Sequence, residues 1–131
     1  LTTKEIVRVP GISDALAKLR VPISPAVKAN GFVFVSGMPP LKPSGEMLRG
    51  DIELQMEAVL ANVRAVLEAA GSSLDRVVKA TIYIANAAYF DIVTEIYGRY
   101  FPEDPPARTF VTVGSWAQPF DVEMECIALA D

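Results

Sequence analysis

Histidine is missing from all 131 residues. Without an imidazole the chain cannot assemble a Ser-His-Asp or Cys-His triad, or any zinc site that needs a histidine ligand. Cysteine occurs once, at Cys126. That excludes an internal disulfide framework, and the alternating apolar run around it marks a small buried hydrophobe. Long apolar runs are lacking too: the uninterrupted ones are strand-length, far below the roughly 20 residues of a membrane span. Residues 1–10 carry no basic-then-apolar leader pattern, so a soluble, cytoplasmic protein with no membrane partner is expected. Positive charge is scarce as well. Twelve Lys and Arg against 16 Asp and Glu give a net charge of -4 and a pI near 4.8, the wrong sign for following a phosphate backbone. Nucleic acid is therefore not an expected partner. No GxGxxG, P-loop or CxxC pattern occurs, and Lys79, although central in an apolar strand pattern, has no phosphate cradle nearby for pyridoxal phosphate. The chemistry left is that of carboxylates, arginine, lysine, hydroxyls and backbone groups, with no metal and no cofactor.

What is present is apolar. Hydrophobic residues make up 51% of the chain and charged ones 21%, with a mean hydropathy of +0.30, more apolar surface than one small domain usually hides. The length fits a single domain over 1–131 that buries roughly two-thirds of the surface of its unfolded chain. Residues 4–9 read as a short edge strand ending at Pro10-Gly11, residues 11–25 resist placement, and GFVFVSG at 31–37 reads as a strand buried on both faces. Pro39, Pro40, Pro43, Gly45 and Gly50 mark a loop over 38–50, with a tight turn at PSGE, 43–46. From a cap at Asp51 to a stop at Gly71, apolar residues recur at three- and four-residue steps, a helix of about 19 residues. A β-branched strand follows over 76–85, a second helix over 88–101 with Phe90, Val93, Ile96, Tyr97 and Tyr100 on its apolar side, ended by Pro102, then a buried strand over 107–113, a loop over 114–119 and a last strand over 121–130. The order predicts a mixed α+β fold with two helices on one face of a single sheet. In the last strand Val122, Met124, Cys126 and Ala128 alternate with Glu123, Glu125, Ile127 and Leu129, so both faces are largely apolar. The chain has nothing left to cover the second face, and subunit contacts are predicted there.

Two features stand out as chemistry. Arg108 follows two prolines at the mouth of the strand over 107–113. It either pairs with an acid on the adjoining strand or offers its planar fork to a ligand carboxylate, with Phe110 and Thr112 on the same strand face as an apolar wall. Glu123 and Glu125 share one face of an otherwise buried strand. They read either as interface ion pairs or as a couple in which burial and like-charge repulsion raise one pKa, fitting it to exchange protons with water. Ser36 and Gly37 end a buried strand just before a proline loop and fit either a site lining or ordinary turn chemistry. Trp116 fits either a pocket wall or a subunit seam.

PARTFVTVGSWAQPFDVEMECIA, residues 106–128, together with VFVSGMPP at 33–40, PSGEM at 43–47 and YFDIVTEIYGRYF at 89–101, resembles the RidA/YjgF-type reactive-intermediate deaminases. The resemblance runs from about Ser24 to the end of the chain. It implies a chorismate-mutase-like subunit with a mixed sheet, three copies of which form a barrel-like homotrimer with a site at each seam. It also implies that Arg108 holds the carboxylate of an enamino or imino acid, that Glu123 handles the attacking water and that Ser36 lines the pocket. The implied reaction is cofactor-independent: the imine carbon takes up water, and the carbinolamine expels ammonia to leave a 2-keto acid. Three departures stand out: Ala26 where a tyrosine is usual, Phe110 in place of a cysteine and Thr94 in place of an asparagine. With the unfamiliar stretch 10–23, they imply a differently shaped pocket, for a larger substrate such as an aminomuconate-like enamine, or a trimer that binds small carboxylates without turnover.

Overall fold

The computed structural model describes residues 3–116 and 118–130; Ala117, within the expected loop over 114–119, lies outside that set, as do Leu1, Thr2 and Asp131. Six strands form one sheet in the order β1-β2-β3-β6-β4-β5. They are β1 (Glu5–Val7), β2 (Ala26–Ala29), β3 (Phe32–Met38), β4 (Val77–Ile84), β5 (Ala107–Thr112) and β6 (Val122–Leu129). The β4/β5 pair is parallel and every other pair antiparallel, so the sheet is mixed. Three α-helices accompany it: α1 (Ile12–Lys18), α2 (Ile52–Ala69) and α3 (Phe90–Tyr100).

The core forms where the two periodicities meet. On α2, Met56, Val59, Leu60, Val63, Val66 and Leu67 are fully buried, while β6 turns Val122, Met124 and Ala128 toward the same layer with no exposed surface. Asp51 stands at the N-cap of α2, but its side chain makes no capping hydrogen bond. Past the helix, Gly71 takes the left-handed φ of 82° that ends it. Cys126 is buried in this core, which pushes its thiol up to about 12. The turn at PSGE closes between Leu41 and Met47, which pair as an isolated antiparallel bridge, and Asn62 of α2 pins the loop by donating to the carbonyls of Pro39 and Leu41 at 3.1 and 3.0 Å.

Four expectations need correction. Residues 11–25, left unplaced, contain α1 and lead into β2, so the chain has a third helix and a strand that periodicity did not reveal. β3 is buried on one face only: Val33 and Val35 are covered, whereas Phe32 and Phe34 keep 38% and 44% of their surface exposed. β5 is the edge strand of the sheet, and none of its residues is buried within the protomer. Phe90, expected on the apolar side of the second helix, is 43% exposed at the first residue of α3. The helices cover only one face of the sheet, which leaves the other face of β3 open, and β5 lies at one of its two edges.

On the face away from the helices, register lines up Ile6 with Val27, Val27 with Phe34 and Phe34 with Ile127, an apolar row across four strands. Phe32 and Leu129 form the next rung. Toward the other end of the same face the composition turns polar, with Tyr83, Glu123, Glu125 and Ser36. Gln55 fixes this end. Buried at 1% exposure, it donates to the Gly50 carbonyl and the Asp121 carboxylate at 3.0 and 2.9 Å and accepts from the Asp121 backbone N–H at 2.9 Å. Replacing Gln55 by Leu strands those groups, each buried orphan costing about 1–3 kcal/mol. Denaturant titration of Gln55→Leu should show a loss of at least about 2 kcal/mol, with the midpoint shifting and the slope unchanged.

Candidate active site

Glu123 owes its position to a bulge on the neighbouring strand. β3 and β6 pair at Val35↔Cys126 and next at Met38↔Met124, so Ser36 and Gly37 together face the single residue Glu125. Gly37 then lies directly against the Glu123 carboxylate: a Cβ built there would stand 2.8 Å from Oε1 and 3.1 Å from Cδ. Glycine is needed here for close approach rather than for a turn. The Ser36 hydroxyl donates to the Ser24 carbonyl at 2.6 Å, tying β3 to the segment before β2. Glu123 is partly withdrawn from water, and its pKa is raised, first by that burial and then by the nearby charge of Glu125. Glu125 accepts a hydrogen bond from the Tyr83 hydroxyl at 2.5 Å, which pushes the phenol up to about 12. The two carboxylates have different surroundings: Glu125 has a phenol partner, and Glu123 lies against the backbone of Gly37.

Arg108 lies elsewhere. It pairs with Ala80 across the parallel β4/β5 register, and Ala80 is fully buried beneath the helices. Its guanidinium carbon stands 5.0 Å from the ring centres of Tyr97 and Phe110 and 5.8 Å from that of Phe90. Phe90 and Tyr97 belong to α3, so Arg108 points to the helix side of the sheet. Among the described residues the ion pairs are Arg8–Asp14 and Arg99–Glu95, and Arg108 takes part in neither. The expected alternative, a pairing with an acid on the adjoining strand, is not what occurs. Burial pushes the Tyr97 phenol up to about 12 against the opposing pull of Arg108, and its hydroxyl has no partner among the described residues. The Oγ1 of Thr94, one turn earlier on α3, is likewise buried without a partner there.

The predicted residues therefore divide into two groups. Glu123, Ser36 and Gly37 come together on the uncovered side, whereas Arg108 and Phe110 come together on the helix side at the sheet edge. Trp116 joins neither directly: its ring packs 4.6 Å from that of Phe120, which lines a cavity reaching Glu123. Sequence reading missed Tyr83, Phe90 and Tyr97 as neighbours of the two charged groups. Tyr83 was within reach of it, since strand pairing places an i, i±2 diagonal to Glu125, but the strand order was needed first.

The family model described as endoribonuclease L-PSP matches residues 14–130. The chain belongs to the RidA/YjgF family. Among its relatives, the chloroplastic Reactive Intermediate Deaminase A of Arabidopsis thaliana is 40% identical over 126 residues, covering 95% of this chain and 65% of that one. The crystal structure of yeast Mmf1 superimposes with a TM-score of 0.86 at 34% identity, covering 97% of this chain and 98% of that one. E. coli TdcF, crystallised with bound serine, is 32% identical with a TM-score of 0.77, covering 82% of this chain and 87% of that one. The mixed α+β architecture is that of Rid-family structures.

Contact between Gly37 and Glu123 makes a clean test of this geometry. The atom in the way of a new methyl group is the tip of a flexible side chain, so Gly37→Ala should fold and move the carboxylate instead. Its melting temperature is expected within a few degrees of wild type, while the pKa of Glu123 read by carboxylate NMR shifts.

Proposed function

We propose that this RidA-family chain hydrolyses reactive enamino and imino acids to 2-keto acids and ammonia, without metal or cofactor, at a site shared by two copies of the chain. One observation carries the reading: Arg108 and Glu123 point from opposite faces of one sheet, so a single protomer cannot close both on one small molecule. A neighbouring copy that covers the exposed apolar row would bring its own edge strand toward the polar end of that face. A closed homotrimer provides such a seam three times. The bare aromatic setting of Arg108 supports its role, because a fork with no acid partner is ready for the substrate carboxylate. Phe110 then walls the bound acid, with Ser36 and Gly37 contributed by the facing copy and Trp116 at the rim.

In this reading the enamine takes a proton on carbon and becomes the imine. Glu123 accepts a proton from water as the oxygen adds to the C=N carbon, and the nitrogen is protonated in turn. The carbinolamine hydroxyl loses its proton as the C–N bond breaks, ammonia leaves, and a ketone remains. A carboxylate with a raised pKa suits both directions of transfer, since its acid form is more accessible than that of an ordinary carboxylate. The deaminase named in the Arabidopsis relative and the serine bound by TdcF both agree with a small amino-acid-like ligand.

Keto-acid release from 2-iminopropionate or 2-aminoacrylate generated in situ measures the activity. Arg108→Ala and Glu123→Gln should each lose roughly 10²- to 10⁴-fold in kcat/KM. Co-expressed in equal amounts, the two variants should regain about a quarter of wild-type activity, because a cyclic trimer then restores that share of seams. No recovery in the mixture rejects a shared site. Unchanged rates in both single variants reject deamination, and keto-acid binding without turnover in wild type assigns the pocket to a binding protein instead.

A further inference from the structure

α1 and the turn that follows it build one wall of a cavity of about 170 Å³. Ile12 and Leu16 of α1 and Ile23 of the turn face Met38 at the end of β3 and Phe120 before β6. Glu123 forms part of the same lining, with Gln118 as its one other polar side chain. An acid that handles water thus sits at the edge of an apolar recess. A dry apolar cavity of about 150 Å³ accommodates a benzene ring, so the space suits a branched aliphatic or phenyl group.

We propose that α1 is a specificity element and that this recess receives the side chain of an imino acid, selecting branched aliphatic or aromatic substituents over a methyl group. The proposal rests on the deaminase reading of Glu123 for its location, since a substrate whose reacting carbon lies against that carboxylate directs its remaining substituent into the recess or into solvent. Burial of apolar surface favours the recess. An acidic substituent such as the second carboxylate of an aminomuconate would enter apolar surroundings beside Glu123, where both desolvation and like charge oppose it. Ile12 and Leu16 are 8% exposed and held in the core, whereas Ile23 is 46% exposed, so the wall can be altered at Ile23 without overpacking the interior.

The test compares imines of leucine, alanine and aspartate, produced in situ by amino acid oxidases, on wild type and on Ile23→Trp. Wild type should favour the leucine-derived imine over the alanine-derived one by at least about tenfold in kcat/KM, with the aspartate-derived imine slowest. Ile23→Trp should bring the leucine-to-alanine ratio close to one. In parallel, calorimetry with 4-methyl-2-oxopentanoate and pyruvate should show the same tenfold preference in binding and its loss in the variant. A wild-type ratio near one, a preference that survives Ile23→Trp, or a preference for the acidic imine overturns the proposal. Absence of turnover with the binding preference intact overturns the deaminase reading and leaves the recess standing. Absence of both turnover and binding overturns the two together.

Discussion

A sheet covered by helices on one side only is the constraint from which the rest of this molecule follows. Alternation along β6 sends Val122, Met124 and Ala128 into the covered layer and leaves Glu123, Glu125 and Ile127 to the other side. At the sheet edge the same parity, passed through the Ala80↔Arg108 register, sends the arginine the opposite way. The guanidinium then meets three aromatic rings instead of a carboxylate. A partly exposed cation–π contact contributes about 0.5–1 kcal/mol, less than a bidentate charge-assisted pair. On the proposed function, an arriving carboxylate would improve the setting of Arg108 without first breaking an ion pair.

The two glutamates on β6 show how small differences in surroundings separate like groups. Tyr83 donates a hydrogen bond to Glu125, and the nearby charge of Glu125 disfavours ionisation of Glu123, which burial has already penalised. Both effects need Glu123 to be drawn in toward the sheet, and only the missing Cβ of Gly37 permits that approach. The β3 bulge and the glycine thus act on Glu123, from the backbone and from van der Waals contact, while the phenol holds the neighbouring Glu125 by a hydrogen bond.

Elements with long, consistent periodicity were legible in the sequence: α2, α3, β4 and β6 fall within a few residues of their expected bounds. α1 was not, because a helix of seven residues spans only two turns and its apolar positions, Ile12, Ala15 and Leu16, are too few to set a period between Gly11 and Pro22. β2 has the sequence AVKA, of weak strand propensity, and is held by β1 and β3 on either side. Arg108 and Glu123 both stood out in the sequence as candidates, and parity within each strand was readable too. What no single strand contains is the parity between strands. That depends on β4 lying between β5 and β6, and it converts two candidate residues of one pocket into residues of two different surfaces.

The same division of surfaces weighs against a nucleolytic role for this chain, despite the description carried by the family model. A phosphodiester backbone approaching the polar end of the open face meets Glu123 and Glu125, on a chain with a net charge of -4 and no histidine to exchange protons. The arginine that would attract it stands at the sheet edge among Phe90, Tyr97 and Phe110, with no lysine or arginine partner among those contacts to extend a track along a strand. One fork between rings suits a single planar anion better than a chain of phosphates, in line with the small carboxylic acid proposed above.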